Sequence, residues 1–249
     1  MKKPFLIVQL RPEDEAADSE FQAIVRYSGL REDDVVRARV ERAGMPEIEL
    51  SDYAAIIVGG SPFDVSTPED AKREIQRRIE EDFMKLFERI VESDFPFFGA
   101  CSGNGLLGKF CGAHISGKYA EPVGGADVVL TEEGTRDPLL RGLPETFRVL
   151  LGHKEACDDT PPGTVLLASS KACPVQMFRL RNNIYATQFH PEADVEGFTV
   201  RINVYKDHGY FAPETAQDLI AAVANEDTPV AKQILDRFVR RYRSRDRNP

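Results

Sequence analysis

The sequence predicts a doubly wound, mostly parallel α/β sheet flanked by helices. Three observations carry this. Strand-like and helix-like segments alternate between residues 5 and 110. The strand candidates there are unbroken apolar runs, such as Ala54-Ala55-Ile56-Ile57-Val58, which suit strands covered on both faces. Between them, Ile75, Ile79, Phe83, Leu86 and Ile90 recur at steps of three and four with charges between, the pattern of a helix with one buried stripe.

Taken in order, the first strand covers Phe5 to Leu10, and a helix follows over Asp14 to Tyr27. A second strand covers Val35 to Val40, and a third ends at Gly59-Gly60. The long helix spans Pro68 to Ser93. Thr67 and Pro68 suit its N-cap and first turn, and Glu69 and Asp70 suit the positive end of its dipole. Pro96 to Ala100 forms the next strand and runs straight into Cys101, after which a short helix passes through Leu106 and Leu107.

The middle of the chain changes character. Ala126 to Thr131, Phe147 to Leu151, Val165 to Ser169, Val175 to Leu180 and Asn183 to Gln188 read as short strands separated by Gly, Pro and Asp, and suit a small antiparallel extension. Helices are expected over Val195 to Asp207, Pro213 to Asn225 and Pro229 to Arg243. No linker or repeat splits the chain. Residues 1–249 are expected to form one domain, with a core over about 5–205 and a helical C-terminal tail over about 206–249.

Composition narrows the function. The 249 residues are 42% hydrophobic and 29% charged, as in soluble globular chains. A net charge of −9 gives no basic face for a phosphate backbone, so no nucleic-acid partner is expected. The basic exception is Arg237, Arg240, Arg241, Arg243, Arg245 and Arg247, which read as a helix end and a solvated tail. No apolar run approaches the ~20 residues that span a bilayer, and the N-terminus lacks a signal-peptide pattern. A cytoplasmic, membrane-free protein with reduced thiols is expected. The four cysteines form no CxxC pair, and no metal or cofactor is expected. Cys111, Cys157 and Cys173 read as packing or surface thiols. His114 and His208 show no partner in the sequence, and Asp158-Asp159 reads as a loop. Gly124-Gly125 reads as a turn, since neither GxGxxG nor a P-loop surrounds it.

Cys101 is the candidate nucleophile. It stands in Phe97-Phe98-Gly99-Ala100-Cys101-Ser102-Gly103, between a buried strand and a helix, with glycines at −2 and +2. This is the spacing of a nucleophile elbow with Cys in place of Ser. A nucleophile on so sharp a turn needs small neighbours. The helix behind it aims amide N–H groups at the sulfur, which lowers the thiol pKa and offers a place for an oxyanion. A structural thiol at a strand end is the rival reading; the flanking glycines argue against it.

The base is His190, in Gln188-Phe189-His190-Pro191-Glu192. In a turn or extended segment residues i and i+2 can face the same way. Glu192 can then hold one ring nitrogen and leave the other for Cys101. Ile57-Val58-Gly59-Gly60-Ser61-Pro62 supplies glycines that let backbone approach a ligand. N–H groups of Gly60 or Ser61, with that of Ser102, are the candidate oxyanion donors.

These three elements, in this order, resemble the class I (triad) glutamine amidotransferase family, most closely stand-alone proteins similar to the amidotransferase domain of GMP synthase. The likeness covers about residues 5–205 and includes Leu166 to Phe178. It implies a flavodoxin-like fold and hydrolysis of a γ-glutamyl amide through a thioester on Cys101, with His190 as base and Glu192 as orienting acid. It also implies a small-molecule substrate, glutamine or another γ-glutamyl amide, and a synthase or acceptor subunit on another polypeptide. Two positions depart from the family. Gly105 stands where members usually carry Gln. Gly152-His153-Lys154-Glu155 replaces a Ser-His-Gly-Asp-like segment. Gly59, Gly105, His153 and Lys154 are the expected substrate-binding positions. Two rivals to amide transfer follow: a γ-glutamyl conjugate hydrolase that transfers no ammonia, and a catalytically weak binding or regulatory subunit.

Overall fold

The computed structural model describes residues 3–208 and 211–243; Arg245 and Arg247 of the basic tail lie outside them. Among the described residues eleven strands and eight α-helices follow one another. In chain order they are β1 (Phe5–Gln9), α1 (Asp14–Tyr27), β2 (Val35–Arg39), α2 (Val40–Ala43), β3 (Ile56–Val58), α3 (Glu74–Ser93), β4 (Phe97–Ala100), α4 (Ser102–Phe110) and β5 (Ile115–Ser116). Then come β6 (Glu121–Leu130), α5 (Glu132–Arg136), β7 (Thr146–His153), β8 (Ala156–Cys157), β9 (Thr164–Ser169), β10 (Met177–Leu180), β11 (Ile184–Thr187), α6 (Val195–Tyr205), α7 (Ala216–Val223) and α8 (Pro229–Tyr242).

Nine strands form one sheet in the order β2-β1-β3-β4-β11-β10-β9-β6-β7. The five from β2 to β11 are parallel, and the rest continue antiparallel. The parallel half has the flavodoxin-like order. Its strands carry apolar residues on both faces, and both faces are covered. Phe5, Ile7, Ile57 and Phe98 pack with α1 and α8 through Phe21, Ile24, Leu235 and Phe238. Leu6, Val8, Ile56 and Phe97 pack with α3 and α4 through Phe83, Phe87, Leu106 and Leu107. A third cluster joins Leu150 to Phe198 and Ile202 of α6 and Val223 of α7.

Several elements depart from the sequence reading, among them α2 and α5, which it did not predict. The long helix begins at Glu74, not Pro68. A single turn closes on the Pro68 carbonyl, and Arg73 is then extended at φ −70°, ψ 152°. The cause is Lys72, which is buried and turned onto Glu80 at 2.7 Å and Glu69 at 2.8 Å. Strand β6 begins at Glu121, so Gly124-Gly125 lies in a strand and makes no turn. A Cβ on Gly125 would lie 2.2 Å from the Glu226 carboxylate, so the glycine leaves Glu226 its place. Glu226 in turn holds Arg148 through two bonds of 2.7 and 2.6 Å, which pins the C-terminal extension onto the sheet. The pairing of β5 with β8 is a small sheet that the sequence did not announce.

The basic helix end is also less solvated than its composition implies. Arg237 donates to the carbonyls of Leu139 and Arg141, and Arg243 to that of Gly29. These arginines fasten α8 to the core. His114 does have a partner, Asp158 at 2.9 Å, which also accepts from Ser116. His208 lies 3.8 Å from Glu13. None of the described helices is long and apolar enough to cross a membrane.

Candidate active site

The carboxyl ends of β1, β3, β4 and β11 converge beside the point where strand order reverses, the place where open α/β sheets bind ligands. Cys101 leaves β4 with φ 52° and ψ −94°, a strained conformation for a residue with a Cβ. Its N–H donates to Thr187 of β11 at 2.8 Å, which holds the turn against the sheet. The elbow is tight at one glycine. A Cβ on Gly99 would sit 2.8 Å from the Gly103 carbonyl carbon, whereas one on Gly103 would make only ordinary contact with Val58 at 3.6 Å.

His190 follows β11 and is buried, its N–H bonded to Leu150 of β7 at 3.0 Å. Its Nδ1 lies 2.8 Å from Glu192 Oε1. The sequence expected this i, i+2 contact. It fixes the tautomer with Nδ1 as donor and leaves Nε2 for proton exchange. Cys101 and His190 line one cavity together.

The sequence did not point to the rest of the buried charge network. Arg201 of α6 donates from Nη2 to the same Glu192 oxygen at 2.8 Å. Arg11, just past β1, donates to Glu20 of α1 at 2.7 Å and to the Tyr205 hydroxyl at 3.4 Å. Glu20 is fully buried and also accepts from Gln9 and from the Gly60 N–H at 3.1 Å. Two carboxylates are thus matched by two guanidiniums around a histidine. No local motif marks these residues, because each comes from a different element.

This network corrects two assignments. The Gly60 N–H is occupied by Glu20 and so is not aimed at an oxyanion. Gly59 sits against Glu20, where a Cβ would come within 2.2 Å of its carboxylate, and does not line the cavities at Cys101. Gly59 makes room for Glu20, and Gly60 makes room for Arg11 and His190, which its Cβ would meet at 2.4 and 2.8 Å. Ser61 and Ser102 remain beside Cys101, and both line a second cavity with it. The Ser102 N–H belongs to the first turn of α4, whose donors lack intrahelical partners.

Burial decides the protonation states. It pushes the Cys101 thiol up to about 12, only partly opposed by Arg11 and Arg201. The expected lowering by the helix N-terminus therefore does not prevail. Burial also lowers His190 from its ordinary value, and Arg201 adds to this, against the pull of Glu192. Burial would raise Glu192, but His190, Arg201 and their hydrogen bonds carry it well below the usual carboxylate range. With His190 neutral at rest, Arg201 is the lasting counter-charge of Glu192. The resting site is a neutral thiol beside a neutral imidazole and an ionised Glu192.

The second cavity gathers Gly105, His153 and Lys154 with Cys101, together with Asp64, Glu155 and Gln188. Its geometry explains both departures from the family pattern. A Cβ on Gly105 would meet Glu155 Oε1 at 3.3 Å, so Glu155 takes up room that a long side chain at 105 would need. The Glu155 carboxylate accepts the N–H groups of Val65 and Ser66, both at 2.7 Å, and Lys154 pairs with Asp64 at 2.6 Å. These contacts clamp the loop after β3 over the cavity. His153 has both ring nitrogens engaged, with the Glu155 carbonyl and with Glu121.

Among the described residues two groups place metal-type donors within 4.8 Å of one another, Glu20–His190–Glu192 and Glu121–His153–Cys173. In the first, Arg11 and Arg201 already supply the positive charge. In the second, His153 and Gln176 hydrogen-bond to Glu121.

Comparison with known proteins agrees with this geometry. The family model for glutamine amidotransferase class-I matches residues 15–203. The chain is 31% identical to a subunit of the glutamine-hydrolyzing GMP synthase of Pyrococcus abyssi over 109 residues, 43% of this chain and 56% of that protein. It thus spans little more than half of that relative. It is 30% identical to a subunit of the glutamine-hydrolyzing GMP synthase of Sulfurisphaera tokodaii over 144 residues, 57% of this chain and 69% of the relative. A glutamine amidotransferase structure from Thermotoga maritima superposes with a TM-score of 0.77 at 20% identity, covering 98% of this chain and all of that one. One from Methylobacillus flagellatus gives 0.69 at 17% identity, covering 96% and 95%. The fold, the family match and the elbow geometry agree: this chain belongs to the class-I glutamine amidotransferase family.

Proposed function

We propose that the chain hydrolyses γ-glutamyl side-chain amides through a thioester on Cys101. The observation that carries this is the His190 Nδ1–Glu192 bond at 2.8 Å, in a cavity that His190 shares with the strained Cys101. His190 takes the thiol proton as the sulfur attacks the amide carbon. The C–N bond breaks and His190 returns that proton to the leaving nitrogen. Water then attacks the thioester, the C–S bond breaks and the thiol is restored. The N–H groups of Ser61 and Ser102 are the oxyanion donors in this reading. Losing one such donor typically costs about 10²–10³ in rate.

The strained elbow and the matched charge network favour catalysis over a binding or regulatory role, since a module without chemistry has no need to bury two guanidiniums around a histidine. The relatives' designation as synthase subunits supports a second reading, in which released ammonia passes to an acceptor subunit on another polypeptide. A glutaminase assay with ammonia detection tests the proposal. Wild type should release glutamate and ammonia, and Cys101→Ala should not. Full activity in Cys101→Ala would sink it. Stimulation by an added synthase subunit would favour the second reading.

A further inference from the structure

Two cavities flank Cys101 and they differ in chemistry. The one that holds Gly105, His153, Lys154 and Glu155 is the more polar of the two and does not include His190. The other includes His190, Arg11 and Arg201, and its remaining side-chain walls are largely apolar: Val123, Phe198, Ile202, Tyr205 and Phe211. Resting on the thioester reading above, the two sides of the scissile bond can be told apart. The leaving nitrogen must reach the proton on His190, so the leaving group lies in the cavity that His190 lines. The acyl part then lies in the more polar cavity.

Ammonia needs little room. The His190 cavity has a volume of about 60 Å³, against the roughly 10–15 Å³ of such space that holds one water. Its walls are packed against one another and against α6 and α7. Phe198 meets the His190 ring edge-on at 5.7 Å and carries Arg201 over its face at 5.3 Å. Ile202 and Phe198 belong to the cluster that α6 and α7 make with Leu150, and Val123 and Phe211 pack against it. Phe211 comes from the C-terminal extension, so that extension closes this side of the site. The charges are matched: Arg11 is held by Glu20, and Arg201 by Glu192. Such a cavity offers an amine apolar contact and no net charge.

We propose that this cavity is a leaving-group subsite, and that the preferred substrate is a γ-glutamyl amide of an apolar primary amine rather than free glutamine. The balance is that of any amide hydrolysis. The thiolate forms the C–S bond, the C–N bond breaks, and the thiol proton leaves on the amine through His190. Water yields the γ-carboxylic acid and restores the thiol.

The experiment compares γ-glutamyl benzylamide, γ-glutamyl methylamide and glutamine with the full chain, reading glutamate release. One buried methylene is worth roughly tenfold or more in such a pocket. The benzylamide should therefore exceed glutamine in kcat/KM by at least about tenfold, with the methylamide between them. Phe211→Ala and Val123→Ala should each lower the benzylamide-to-glutamine ratio by at least about fivefold, by the same loss of apolar contact. Glutamine hydrolysed as well as or better than the benzylamide would overturn the subsite and leave the thioester reading intact. A ratio unmoved in both variants would overturn its placement. Hydrolysis of none of the three would overturn both.

Discussion

Removing Arg201 isolates what the buried network does. Its Nη2 lies 2.8 Å from Glu192 Oε1 and 3.6 Å from Glu20, and its side chain is 9% exposed. Arg201→Gln leaves Glu192, 1% exposed, without its lasting counter-charge. Breaking a buried pair by deleting one partner costs about 3–5 kcal/mol. For a chain of this size each kcal/mol shifts Tm by about 2–4 °C, so Tm should fall by about 6–20 °C. A purely structural role would stop there, so the second readout is the pH profile. The base must be neutral to accept the thiol proton, and burial together with Arg201 holds His190 below its ordinary value. The acid limb of kcat/KM in the wild type should lie below about 6.5, the ordinary histidine value. In Arg201→Gln it should move to higher pH, because a charge opposing the imidazolium is gone. Arg201→Lys keeps the charge and should show the smaller displacement. The assays are thermal denaturation and glutaminase rates across pH. A Tm within about 2 °C of wild type, with the acid limb unmoved, would refute the positioning role.

Four further outcomes follow from the geometry. Cys101, with its thiol pushed up to about 12, should react with iodoacetamide near neutral pH at least about a hundredfold more slowly than free cysteine; a rate equal to free cysteine would contradict the neutral resting pair. Gly99→Ala should cost about 1–3 kcal/mol of stability and most of the activity, because its Cβ meets backbone at 2.8 Å, whereas Gly103→Ala should be mild in chemical denaturation. Glu155→Ala frees the N–H groups of Val65 and Ser66, each in a charge-assisted bond worth about 1.5–3 kcal/mol, and should raise KM more than it lowers kcat in steady-state assays. Gly125→Ala should push Glu226 off Arg148 and loosen the C-terminal extension, read as faster proteolysis after residue 206.

The parallel half of the sheet was legible because each strand is a short apolar run and each helix has a periodic stripe. The sharp turn at Cys101 and the His190–Glu192 contact were legible because both are local: glycines two residues either side of a thiol, and a carboxylate two residues from a histidine. What escaped was assembled from distant positions. Arg11, Glu20 and Arg201 lie on a post-strand turn and two helices, and nothing nearby in sequence marks them as partners. A buried Glu20 in an amphipathic helix that otherwise presents Ala17, Phe21 and Ile24 was the available signal, since a carboxylate on an apolar face needs a cation. The Gly60 donor failed for the same reason, because Glu20 was not in view. The start of α3 failed because Lys72 looks like a surface residue until Glu80, in the second turn of the helix, is folded against it.

The most direct test of the thioester on Cys101 is rapid-quench mass spectrometry of the chain mixed with a γ-glutamyl amide. The expected result is one added γ-glutamyl group on the peptide that contains Cys101, absent in Cys101→Ala and accumulating more slowly in His190→Ala. Amide hydrolysis by wild type with no such adduct at any time, or with the adduct on Cys111, Cys157 or Cys173, would contradict it.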